Sequence, residues 1–153
     1  MLAIGGPLIA VRVIGAVQSR IDSHLQIVDA NTLRVGGNLV RLFGVDAPDK
    51  RQTCRSASGA IYDCGLRAMD FARVLVRDKA VICTKGYSHG TVMCYANGRD
   101  LGAALVLAGW AVCASGTSLY RADEATARRA GRACGLARSN AQHDGAGTKR
   151  SRI

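Results

Sequence analysis

Between Ile27 and Lys50 the chain reads IVDANTLRVGGNLVRLFGVDAPDK, and this stretch limits what it can fold into. Thr32–Val35 alternates apolar and polar residues, and so does Asn38–Phe43. Gly36-Gly37 between them supplies the positive φ angles of a tight turn, so the pattern predicts a β-hairpin. Its acids sit at the open end. Asp29 precedes the first strand, and Asp46 and Asp49 follow the second. Antiparallel pairing would gather Asp29, Asn31, Asp46 and Asp49, with Arg41 projecting nearby. Oxygen donors beside an arginine suit a hard cation and a phosphate. The plainer alternative is a hairpin whose polar ends are simply solvated.

The 153 residues suit one domain with its own core, and a hydrophobic fraction of 48% favours folding over disorder. Twenty-one basic residues against 11 acidic ones give a formal charge of +10. That balance favours polyanionic partners: nucleic acid, acidic polysaccharide or an anionic membrane surface. Aromatic residues make up only 5%, which supplies a base-stacking platform poorly. Cysteines stand at 54, 64, 83, 94, 113 and 134, without any C-x-x-C, and three scattered histidines argue against zinc. An even count favours disulfides and an oxidising compartment. Cys54 and Cys64 bracket one short loop, and Cys83 and Cys94 flank the turn Tyr87–Gly90 symmetrically. Cys113 and Cys134 remain by elimination. The alternative is six reduced, buried thiols in a cytosolic protein.

Residues 1–22 form an apolar N-terminal segment, broken by Arg12 and too short to span a bilayer. It reads either as a truncated export signal or as a first strand. The domain is expected over residues 23–136, and a basic, polar tail over 137–153. Leu25–Val28 leads into the opening hairpin, and Ala47-Pro48 ends it. Asp49–Asp63 is a polar loop carrying Lys50, Arg51 and Arg55. Helical spacing predicts a helix over Gly65–Asp78. Lys79–Thr84 and Thr91–Ala96 form a second hairpin, and Asn97-Gly98 a turn. Asp100 caps a helix over Leu101–Ala108, which Gly109 ends. Trp110–Cys113 reads as a strand. Ser118 caps a third helix over Leu119–Ala130, whose Arg128, Arg129 and Arg132 form a basic, solvated face. This order predicts an α+β fold, a small barrel with helices on its flank.

Several motifs recur in order: D-A-N-T-L-R-V-G-G, V-R-L-F-G-V-D-A-P-D, C-G-x-x-A, Y-A-N-G-R-D-L-G-x-x-L-V-x-x-G-W-A-V and Y-x-x-x-E-A-x-A-R. Together, over about Leu25–Leu136, they resemble the staphylococcal-nuclease-like (thermonuclease) family. The likeness is to its small cysteine-containing bacterial members, which include rhizobial succinoglycan-biosynthesis proteins. It implies a five-stranded OB-type β-barrel with three flanking helices. In active members two aspartates hold calcium, two arginines grip the scissile phosphate, and a glutamate activates water.

Carried onto this chain, the resemblance places Asn31 at the first metal aspartate and Asp46 at the second. Ala47 falls where a threonine carbonyl binds the metal, and Asp29 becomes an acid behind the ligands. Arg41 matches the first phosphate arginine. Asp49 stands at the base position, one methylene short, and His89 falls where the second arginine is usual, with Lys85 or Arg99 as partial substitutes. The only glutamate, Glu124, belongs to the third helix. Arg41 and Asp46 are thus intact and three positions are altered. Two functions follow. One is an exported, monomeric, calcium-dependent phosphodiesterase acting on DNA or RNA, weakened by its substitutions and without a membrane span. The other is a degenerate module binding nucleic acid or acidic polysaccharide, linked to exopolysaccharide production.

Overall fold

A computed structural model describes residues 19–20, 25–86, 88 and 90–132. Strand β1 (Ser19–Arg20) is followed by β2 (Gln26–Asp29), β3 (Thr32–Val35) and β4 (Asn38–Leu42). The glycine turn forms as expected. Gly36 and Gly37 adopt φ of 52° and 86°, a region that side chains avoid. It sets the register Val35↔Asn38, Leu33↔Val40 and Thr32↔Arg41. Alternation then turns Leu33 and Leu42 into the core, at 0% and 4% exposure. β2 joins β3 with a register shift between Ile27 and Asp29.

Three short strands follow: β5 (Val45–Asp46), β6 (Cys54–Arg55) and β7 (Ile61–Tyr62), then helix α1 (Cys64–Val76). α1 begins one residue earlier than its periodicity predicts and ends two earlier. Arg77 leaves helical geometry at ψ 128°, and Asp78 takes φ 55°. The Lys79 ammonium donates to the Leu75 carbonyl and covers the helix end. Strands β8 (Val81–Lys85) and β9 (Thr91–Ala96) form the second hairpin, extended by β10 (Arg99–Asp100) across the Asn97-Gly98 turn. Cys83 lies directly opposite Cys94 and is bonded to it.

Helix α2 (Leu101–Leu107) is capped by Asp100, whose Oδ1 accepts the Ala103 N–H at 3.1 Å. Strand β11 (Val112–Cys113) is shorter than expected, because the Trp110 N–H donates to the Leu105 carbonyl and closes the helix end. Helix α3 (Arg121–Arg129) starts at Tyr120 rather than at Ser118. Tyr120 is buried against Gly44 and Gly102, and its hydroxyl donates to both Asp100 oxygens at 3.2 and 3.0 Å. Burial and the adjacent Asp100 carboxylate push its pKa far above the usual phenol value. That anchorage fixes where α3 begins, and the Ser118 carbonyl accepts the Arg121 N–H within the preceding turn.

The main sheet runs β1-β8-β9-β4-β3-β2, with β10 on β9, and β4 pairs with β9 in parallel. Its end strands are chain neighbours. Six residue steps separate Arg20 from Gln26, a reach of at most about 21 Å. Five flat inter-strand spacings would hold the edges about 24 Å apart. The sheet therefore curls, and α1 and α2 pack on its concave face over Leu33, Leu42, Ala68, Ala72, Leu105 and Val106. The α+β class and its three helices are as the sequence predicts. Counted by ladders, the main sheet holds seven strands. Residues 1–18 and the tail lie outside the described residues, so the alternatives for the N-terminal segment do too. No helix among the described residues is long and apolar enough to cross a membrane.

Candidate functional site

The open end of the first hairpin forms one side of a cleft of about 730 Å3, well within the range of ligand pockets. Asp29, Arg41, Asp46, Ala47 and Asp49 all line it, so five of the expected site residues meet in one place. Val28 and the loop residues Lys50, Arg51, Gln52 and Thr53 complete the lining. Hairpin geometry explains the first set. Thr32 pairs with Arg41, which returns Arg41 to the level of Asp29. The chain then turns at Phe43-Gly44, and β5 pairs with β11 through Val45↔Cys113 and Asp46↔Val112. A bond from the Ala114 N–H to the Gly44 carbonyl, at 3.0 Å, secures this second ladder. Asp46 thus rides on a strand fixed from behind.

The individual side chains have different surroundings. Asp29 is half-buried, and its Oδ1 accepts the Lys50 backbone N–H at 2.9 Å. Arg41 is exposed at the rim, while its backbone N–H reaches the Gly90 carbonyl at 3.3 Å. Asp46 and Ala47 are half-buried, and Asp49 is exposed. Gln52 organises the loop that follows. Its Oε1 accepts the Asp49 N–H at 3.3 Å, and its own N–H donates to the Asp49 carbonyl at 2.8 Å. Gln52 and Thr53 have no distinguishing sequence signal; only the folded loop brings them to the cleft.

Asn31 does not line the cleft. It is 4% exposed, its Nδ2 donates to the Val45 carbonyl at 3.3 Å, and its Oδ1 accepts the Thr32 hydroxyl at 3.3 Å. The amide ties the start of β3 to the start of β5. His89 lies outside the described residues. Lys85 and Arg99 are exposed on β8 and β10, away from the cleft lining. Glu124 is occupied elsewhere, accepting the Cys113 N–H at 2.9 Å and pairing with Arg128. Although burial raises its pKa, the bonds from Arg128 and the Cys113 N–H prevail and lower it.

A hard cation asks for six to eight oxygen ligands, carboxylates first among them. The cleft offers Asp46 and the residue 47 carbonyl in donor chemistry, with Asp29 and Asp49 on its walls. The Asn31 amide is already engaged, and among the described residues no three His, Cys, Asp or Glu side chains group as a metal site.

Two of the expected disulfides are present. Cys54–Cys64 joins Cα atoms 5.5 Å apart, and Cys83–Cys94 joins Cα atoms 4.0 Å apart. Cys113 is half-buried, bonds to no described cysteine and approaches the Thr117 carbonyl. Its expected partner, Cys134, lies outside the described residues. Two disulfides are the mark of an oxidising, extracytoplasmic setting.

Fold and cleft together define a small, basic, disulfide-stapled α+β protein with a pocket of mixed charge at the end of a curled sheet. No family model matches the chain. Among curated proteins it is similar to the succinoglycan biosynthesis protein ExoI of Rhizobium meliloti (strain 1021). The two are 28% identical over 131 residues, covering 80% of this chain and 68% of ExoI.

Proposed function

We propose that this chain is a thermonuclease-like protein on an OB-type barrel, which binds the phosphodiester backbone of DNA or RNA in the cleft and hydrolyses it weakly. The observation that carries this reading is the meeting of Arg41, Asp46 and Asp49 in one pocket with Lys50 and Arg51. A guanidinium at the rim can fork onto a phosphate, and the two further cations neutralise its neighbours along the strand. Asp49 would take the proton from an attacking water. Its carboxylate is one methylene shorter than the family's glutamate, and a displacement of about 1 Å can cost on the order of a hundredfold in rate. Asp46 and the carbonyl of Ala47 would hold calcium, which when bound polarises the phosphoryl oxygens. Neutral, buried Asn31 lowers the affinity for that ion. His89 would supply a single hydrogen bond where an arginine would supply a fork. The protein is read as exported and monomeric.

The test is cleavage of single- and double-stranded DNA by purified protein, in calcium and in chelator. Slow cleavage that needs calcium and disappears in Asp46→Ala is the expected result. The combined variant Asn31→Asp, Asp49→Glu, His89→Arg should cleave about a hundredfold faster or more. Cleavage that survives the chelator, or wild-type protein that neither binds nor cleaves, would overturn the reading.

The similarity to ExoI favours a second reading, in which the same cleft binds an acidic polysaccharide in exopolysaccharide production and cleaves nothing. Competition decides between them. Succinoglycan displacing a labelled oligonucleotide at equal charge concentration supports the second, and failure to displace it supports the first.

A further inference from the structure

One wall of the cleft, Asp49 to Thr53, belongs to a single loop between β5 and β6, and the hydrophobic core does not hold it. Cys54 and Cys64 are buried, at 6% and 0% exposure, but they pack outside the main core cluster, which includes Cys83 and Cys94. The loop is tied down at three points. The Lys50 N–H donates to Asp29, and the Gly65 N–H donates to the Gln52 carbonyl at 3.1 Å. The third is the Cys54–Cys64 bridge. The β6–β7 ladder that carries Cys54 contains only two residue pairs. Cys64 is the first residue of α1, which packs against β2, so the bridge refers the loop to a rigid helix. Gly65 completes the fit. A Cβ there would stand 1.8 Å from the Asp49 carbonyl oxygen, so the loop backbone lies directly on the helix start.

We propose that the Cys54–Cys64 bridge is the positioning element of the cleft. It holds Lys50 and Arg51 in the cleft that Arg41 also lines, so anion binding requires it, whereas folding of the core does not. The two disulfides divide their work: Cys83–Cys94 fastens the sheet inside the core, and Cys54–Cys64 fastens the wall. This rests on the reading of the cleft as an anion site. Preorganisation of this kind acts on affinity without adding a contact to the ligand.

The experiment compares wild type with Cys54→Ala/Cys64→Ala and Cys83→Ala/Cys94→Ala. It measures amide hydrogen exchange, and anisotropy of a labelled 12-residue oligothymidylate in chelator. Cys54→Ala/Cys64→Ala is expected to fold, with exchange protection retained at Leu33 and Leu42. It should lose protection at Lys50 and Gly65 and bind the oligonucleotide about tenfold more weakly or worse. The other double variant should melt earlier but, while folded, bind within about twofold of wild type. If Cys54→Ala/Cys64→Ala fails to fold, or keeps protection at Lys50 and Gly65, the proposal is overturned. Wild type that does not bind removes the anion reading and the binding claim with it. Exchange at the two amides still decides whether the bridge sets the wall.

Discussion

Asn31 is buried with its amide spanning two strands, and its chemistry can be read in both directions. The Nδ2–H group satisfies the Val45 carbonyl, which an aspartate could not do. Asn31→Asp would set a carboxylate oxygen against that carbonyl and bury a charge, at a cost of about 1–3 kcal/mol. The same change restores the charge that a calcium site draws on, and an ion that binds only the folded state stabilises it. Thermal melts should therefore show Asn31→Asp below wild type in chelator, with the gap narrowing in millimolar calcium. Wild type should shift little between the two. A variant whose melting point ignores calcium would show that residue 31 is outside any ion's reach. The sequence places Asn31 at the head of β3 and beside Asp29, but not its direction. Whether an asparagine there faces the cleft or the core is set by the shift between Ile27 and Asp29 and by β5 lying behind it, and neither has a local signature.

At the scale of elements, α2 shows how a short segment is made secure. Its seven residues LGAALVL carry no charge, and a helix this short does not hold together alone. Asp100 serves it twice, accepting the Ala103 N–H and receiving the Tyr120 hydroxyl, so one carboxylate joins α2 to the start of α3. Asp100→Ala removes the cap, worth about 1 kcal/mol, and leaves a buried hydroxyl unpaired, worth about 1–3 kcal/mol more. Asp100→Asn keeps one carbonyl oxygen whose two lone pairs can accept from both donors, and it should cost about 1 kcal/mol or less. Urea denaturation should separate the two variants in that order, and equal losses would mean that charge, not hydrogen bonding, is what Asp100 supplies. The cap itself was legible, because Asp before an apolar helical run is a local signal. So were the Gly36-Gly37 turn and the facing of Cys83 and Cys94. The Tyr120 contact was not, since it joins residues 20 apart, and without it the start of α3 falls at Ser118 on pattern alone. The parallel pairing of β4 with β9 was hidden for the same reason: Arg41 and Thr91 are brought together only by closing a long chain segment.

For the molecule as a whole, the formal charge of +10 overstates what an anionic polymer would meet in one place. Arg34, Arg55 and Arg132 donate to nearby carbonyls of Gly37, Gly59 and Leu107, Arg129 donates to Thr126, and Arg73 and Arg128 pair with Asp70 and Glu124. Arg41, Lys50 and Arg51 converge on the cleft. If binding is confined there, about three phosphates are neutralised, and the slope of log K against log salt for a single strand should be about −2. A fourfold rise in salt would then weaken binding about 18-fold. Engagement of the whole basic surface would give a slope nearer −7. Arg41→Ala should lower the affinity and reduce the magnitude of the slope by about 0.7, the share of a single phosphate contact. Titrations of oligothymidylate in chelator between 50 and 200 mM salt, read by fluorescence anisotropy, measure both quantities. A slope near −2 that Arg41→Ala makes shallower locates recognition in the cleft. A steep slope that ignores Arg41 would assign it to diffuse charge, and the hairpin that gathers Asp29, Arg41, Asp46 and Asp49 would then be a structural corner.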